Sequence, residues 1–310
     1  MKLTLRKIMQ ATLLMNMIFS SALAQYNADE PRWKLAMGLS AGGMNCLTDL
    51  GGTSGAGKGF IKDLNYINTK PCISFAVQAI YDRRFSWRLQ VMAGSLTASD
   101  SILGIHDHSV ARERYNRNLH FRTAIAEATI MAQYYFGAIG FGSNKAAGLK
   151  SDLTVEEAVK MVEPYLTAGI GFFHFNPKAL INDQWKSLRE WRTEGQGFKE
   201  YPQRKQYVLC QLNIPLGAGI RYHFSPGIEI CMEIGYRVLL TDYLDDTSAG
   251  YAVPASFDRY FPPDKAMMAL ALADRRRAGN QELAGGQARG DPSNRDTYFT
   301  AMACMAMRLN

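Results

Sequence analysis

Seven ionisable residues invite a chemical reading first: Arg88, Arg122, Glu127, Arg221, Glu229, Glu233 and Arg237. Each is expected on the inward, polar face of a segment whose residues alternate between apolar and polar. Two carboxylates four residues apart, Glu229 and Glu233, could in principle serve as a general acid and base. Such a pair needs two different environments, one raising and one lowering the proton affinity. These two share one strand and sit among compensating guanidiniums. The pattern therefore predicts a structural network of ion pairs filling a narrow interior, because charges removed from water must be paired.

Other motifs weaken on inspection. Gly52-Thr53-Ser54-Gly55-Ala56-Gly57-Lys58-Gly59 nearly matches a phosphate-cradling loop, yet Gly59 stands where a magnesium-binding hydroxyl is required and no buried strand precedes it. A glycine-rich surface loop is the expected reading. His106-Asp107-His108 has no further His or Cys at ligand spacing, and Asp242, Asp245 and Asp246 lack the glycine turn and closing Glu of a calcium loop. No Ser, His and Asp stand in a nucleophile context. Neither metal, cofactor nor catalytic site is expected, and the chain is read as no enzyme.

The elements that must hold the seven residues are strands. From Tyr207 to Phe224 the even positions are apolar, while the odd positions include Gln211, Asn213, Gly217, Gly219, Arg221 and His223. A turn at Ser225-Pro226-Gly227 leads into a second alternating run, Ile228 to Leu240. The same period predicts strands at Trp33 to Cys46, Cys72 to Asp82, Arg84 to Ser99, Leu119 to Phe136, Glu163 to His174 and Asp296 to Asn310. Eight strands, several long enough to cross a bilayer at a tilt, can close on themselves and remove their edges. The fold class expected is all-β, an eight-stranded antiparallel transmembrane β-barrel with long extracellular loops.

Connection lengths orient it. Tight turns at 82–84 and 225–227 alternate with long connections at 47–71, 100–118, 175–204 and 241–295. With both termini periplasmic, the long connections lie outside the cell, the usual asymmetry of outer-membrane barrels. The connection at 137–162 is the exception on the periplasmic side, and Ser151 to Glu157 reads as a capped helix start. Within the connection at 175–204, Gln184 to Arg192 is expected to be helical, with Trp185, Leu188 and Trp191 on one side.

The first residues set the compartment. Lys2, Arg6 and Lys7 precede an apolar run to Phe19, and Ala22-Leu23-Ala24 is a small-residue cleavage site. Residues 1–24 are read as a signal peptide and 25–310 as the barrel. The formal net charge of +7 includes the leader's three cations, so the mature chain carries too small an excess for a nucleic-acid partner. Five cysteines, an odd number at irregular spacing, exclude a disulfide-dense scaffold. Cys46 and Cys72 fall at the same end of neighbouring strands, where a disulfide and two buried thiols both fit.

Several segments resemble a known family. They are Gly42-Gly43-Met44-Asn45 through Asp49-Leu50-Gly51-Gly52, Arg117 to Arg122 with Glu127, Thr193-Glu194-Gly195-Gln196-Gly197 and Pro215 to Tyr222. Glu233 to Arg237 running into Thr241 to Ser248, and Arg289 to Asn294, complete the set. In this order they resemble PorG, the outer-membrane β-barrel component of the type IX secretion system. The resemblance implies a bacterial outer-membrane protein, embedded in lipid, that anchors or positions a periplasmic ring of PorK- and PorN-like partners. The alternative from the residues alone is a barrel that transports small solutes or binds a ligand among its outer loops.

Overall fold

The computed structural model describes residues 33–51, 65–81, 84–103, 109–137, 139–140, 161–225, 227–277 and 287–309. The leader, the glycine-rich run at 52–59, the His106–His108 group and the helix start at Ser151 lie outside the described residues.

Eight long strands form one closed antiparallel barrel: β1 (Trp33–Leu47), β2 (Lys70–Tyr81), β3 (Phe85–Ser99), β4 (His120–Tyr135), β5 (Met161–His174), β6 (Cys210–Ser225), β7 (Ile228–Leu239) and β8 (Thr297–Leu309). Each pairs with its sequence neighbours, and β8 returns to β1 over the thirteen partners from Leu35↔Leu309 to Leu47↔Thr297. The eight-stranded barrel expected from alternation is thus present, and the strands match their predicted positions within a few residues. Lengths run from 12 to 16 residues, beyond the roughly 9–11 that a tilted membrane-spanning strand needs.

Alternation sorts the faces. In β3, Phe85, Trp87, Leu89 and Val91 point outward and are exposed, while Ser86, Arg88, Gln90 and Met92 point inward and are buried. In β6 the even residues Leu212, Ile214, Leu216 and Ile220 face outward, and Asn213 and Arg221 are buried inside. Gly219 belongs to the inward row because the Tyr165 ring occupies the space a side chain would take: a Cβ there would meet the phenol oxygen at 2.6 Å.

At one end of the barrel two of the connections, β2–β3 and β6–β7, are short; at the other the connections fold into a packed cap. Helix α1 (Ser109–Arg117), a hairpin of Lys178–Ile181 with Gln184–Ser187, helix α2 (Pro254–Tyr260) and helix α3 (Pro263–Ala273) build it. Pro254 and Pro263 occupy first-turn positions, where a missing N–H costs nothing. Phe198 stacks on Tyr260 at 4.0 Å and packs with Phe257, Ala266 and Ala269, giving the cap its own small core. A larger apolar layer fills the barrel mouth beneath, including Met44, Leu96, Phe121, Phe173, Phe175, Tyr207 and Tyr298.

The helix expected from Gln184 to Arg192 is corrected. Asn182 and Asp183 both take positive φ, 48° and 58°, the conformation of a two-residue hairpin turn. Gln184–Ser187 is therefore a strand, followed by a single 3₁₀ turn, Leu188–Trp191.

Candidate functional site

Six of the seven predicted charges meet inside the barrel. Arg88 on β3 grips Glu233 on β7 with two bonds of 2.7 and 2.8 Å, and the Tyr165 hydroxyl donates to the same carboxylate at 2.8 Å. Strands three and seven are opposite each other in an eight-stranded ring, so this pair is a strut across the lumen. Nearer the cap, Glu127 on β4 receives Arg237 at 3.3 Å, Asn213 at 3.1 Å and the Tyr298 hydroxyl. Arg237 also donates to Thr300 at 3.1 Å. Gly235 makes this arrangement possible, since a Cβ there would run into the Arg237 guanidinium.

Toward the short turns, Glu229 is met by Arg221 at 3.4 Å and by Arg308, while Glu163 bonds Arg221 as well. His223 lies between these two carboxylates, 3.1 Å from Glu163 and 3.4 Å from Glu229. Arg221 also stacks over the Tyr135 ring at 3.8 Å. A pocket of about 40 Å³ remains between Gln78, Arg88, Gln133, Tyr165, Arg221 and Glu229, room for a water molecule or two. Glu229 and Glu233 each have their own guanidinium partners, and of the two Glu229 lines this pocket. Sequence reading missed Glu163, Tyr165, Tyr298 and Arg308, although all four sit on the inward parity of their strands.

Arg122 is the exception. It lies five residues from Glu127, and an odd separation along a strand places two side chains on opposite faces. Arg122 accordingly points outward, exposed, with its guanidinium 3.6 Å from the centroid of the Trp185 ring.

Of the two readings left open for Cys46 and Cys72, the disulfide is excluded and the buried thiols hold. Cys46 and Cys72 are free buried thiols. Cys72 stands opposite Gly42, four residues from Cys46 and so about 13 Å along the strand, beyond disulfide reach. The disulfide joins Cys231 and Cys304, directly opposed across the β7–β8 ladder. Strand register, which spacing does not reveal, brings them together.

A second polar centre lies in the cap. Arg289 is fully buried and reaches Glu194 at 3.2 Å and the Asp246 carbonyl at 2.6 Å. Glu194 accepts the backbone N–H groups of Ser248 and Ala249, each at 3.0 Å. Asp246 takes hydrogen bonds from Thr193 and, at 2.7 Å, from Tyr207. Arg117 pairs with Asp100 at 2.8 Å and donates to the carbonyls of Asp49 and Arg289. Five segments singled out in the sequence, around 49–51, 117–119, 193–197, 241–248 and 289–294, thus converge on one cluster.

Carboxylates outnumber cations here. Burial, reinforced by neighbouring acids, raises Asp242 to about 7. Burial also lifts Asp49 to about 6, against the pull of the Asp291 backbone N–H and Arg117, and lifts Asp246 to about 6 against that of Arg289. Asp245 and Asp296 rise well above the carboxylate range for the same reason, each facing other acids. Asp296 keeps one oxygen that accepts no hydrogen bond among the described residues. No group of His, Cys, Asp and Glu among them is arranged to hold a metal ion.

No family model matches the chain, and no curated protein does. Among solved structures, Neisserial surface protein A is 6% identical, covering 89% of this chain and 97% of its own, with a TM-score of 0.37. Ail, the attachment invasion locus protein of Yersinia pestis, is 9% identical over 89% and 97%, with a TM-score of 0.33. The outer membrane protein OprG from Pseudomonas aeruginosa is 12% identical over 90% and 95%, with a TM-score of 0.32. Scores this low add nothing to the assignment, which rests on the closed ladder of the barrel itself.

Proposed function

We propose that this protein is a non-enzymatic barrel of a bacterial outer membrane, and that it works as an anchor for a secretion assembly. The observation that carries the reading is a closed ring of eight strands with an apolar outside. The exposed outward face is built from residues such as Leu39, Ile73, Leu89, Ile170, Ile214 and Ile234, far more apolar surface than a water-soluble monomer shows. Trp33 with Tyr81, and Phe85 with Tyr134 and Phe136, form an aromatic belt at the short-turn end. Tyr236 with Phe299 lies on the same face toward the cap. Belts of this kind flank the apolar band of transmembrane barrels.

Inside, the Arg88–Glu233 strut crosses the lumen and an apolar layer fills the mouth beneath the cap. A narrow barrel filled in this way favours holding over conducting. The resemblance to the type IX component supplies the finer reading: the barrel positions a periplasmic ring of PorK- and PorN-like proteins, with the connection at 137–162 as the docking element. Replacing residues 141–160 by a short Gly-Ser linker tests this in the native membrane. The barrel is expected to insert while the ring proteins no longer co-purify; undiminished co-purification would overturn the docking role.

A further inference from the structure

Among the described residues of the eight strands, Arg122 is the one Lys, Arg, Asp or Glu on the outward face. It sits at the cap end of β4, followed outward along the strand by Ala124, Ala126 and Ala128. Its ladder partner is Lys178, so two cations stand directly opposite each other. Like charges so placed repel, at a Cβ separation of about 5 Å. No described carboxylate lies within ion-pairing distance of either. The hairpin's own acid, Asp183, is at its tip, five residues or roughly 16 Å along the strand from Lys178.

The pair is nevertheless held firmly. The Arg122 guanidinium carbon stands over the Trp185 ring, 3.6 Å from its centre, and His120 meets the same indole edge-on at 6.0 Å. His120 accepts the Leu180 N–H at 2.9 Å, and Arg275 donates to the Leu180 carbonyl at 2.9 Å, tying the hairpin to the rim. Stacking occupies the face of the guanidinium and leaves its N–H edge free, the edge that binds phosphate with two hydrogen bonds.

We propose that Arg122, Lys178 and Trp185 form a binding site for the phosphorylated headgroup of a lipid in the leaflet beside the cap. The proposal rests on the membrane reading above. A phosphate between the two cations removes their repulsion, and its acyl chains have a surface to follow. Below Arg122 the outward row of small alanines, joined by Ala93 on β3, lies beside the exposed Phe172 and Ile170 of β5. A free anion would use the cations without that lane.

Native mass spectrometry of the full chain in detergent, with phosphatidic acid or phosphatidylcholine added, tests the site. The wild type is expected to retain phosphatidic acid about tenfold better than phosphatidylcholine. The Arg122→Gln/Lys178→Gln double variant is expected to lose that preference while keeping its folded mobility on unheated gels, and Lys178→Gln alone to lose part of it. Equal retention of the two lipids by the wild type, or an unchanged preference in the double variant, would overturn the proposal. So would displacement of the lipid by millimolar inorganic phosphate, which would make the site a plain anion site. Flotation with phosphatidylcholine vesicles is read separately: a chain that stays in solution overturns the membrane reading and this site together, whereas a chain that floats without headgroup preference overturns the site alone.

Discussion

The barrel interior and the cap both bury charge, in opposite ways. Inside the barrel, Glu127, Glu163, Glu229 and Glu233 each touch at least one guanidinium. In the cap, Asp49, Asp242, Asp245 and Asp296 crowd one another, and burial raises all four toward or beyond neutrality. Compensated charge stiffens a structure over a wide range of pH. Crowded acids hold together best while some keep their protons. The barrel is built as a fixed frame, and the cap as a part whose cohesion depends on its surroundings.

The most forceful way to break that contrast is to unpair the strut. Arg88→Met leaves Glu233 buried with only Tyr165 for a partner, and unfolding in detergent-denaturant titrations is expected to show a loss of about 3–5 kcal/mol. Adding Glu233→Leu should restore most of it, because an apolar pair avoids the stranded charge; no recovery would mean that the pair does more than neutralise itself.

A smaller loss is expected from crowding the frame. Gly235→Val pushes against Arg237 and Thr300, which should cost roughly 1–3 kcal/mol by the same titration. The barrel's disulfide and ladder should keep the fold intact, so an unfolded product would show the interior to be less tolerant than its pairing implies.

The finest effect is the cap's dependence on pH. A carboxyl whose folded-state proton affinity is raised stabilises the fold fully below its unfolded value near 4, and that contribution is lost as pH climbs toward the folded value. For Asp242 the window runs from about 4 to about 7. Hydrogen exchange of cap amides is therefore expected to show slower opening at pH 5 than at pH 8 after correction for intrinsic rates. Asp242→Asn should flatten the trend and stabilise the cap at pH 8 by about 1 kcal/mol, since both carboxyl oxygens of Asp242 are buried. An identical slope in the variant would shift the effect to Asp245 and Asp296.

Much of the frame was legible because its information is local. Period-two alternation marks the strands, and parity alone places Arg88, Glu127, Arg221, Glu229, Glu233 and Arg237 inside. The same rule, applied strictly, would have turned Arg122 outward. The cap resisted reading for a physical reason: Arg117, Asp49 and Arg289 meet across more than two hundred residues of chain, and no local period records such contacts. The Lys178–Ser187 hairpin hid behind a helix-like spacing of Trp185, Leu188 and Trp191. The better signal was Asn182-Asp183, two residues that tolerate positive φ.

The seam between β1 and β8 has a consequence for how the molecule comes into being. Leu35 cannot find Leu309 until nearly the whole chain between them has been made. The final ring of hydrogen bonds thus belongs to the slowest class of contacts, those joining residues far apart in sequence. Until that moment β1 carries an open edge, and each apolar flank lacks its lipid. On the membrane reading proposed above, the chain would travel unclosed, and β1 would meet β8 late, after the strands between them are in place.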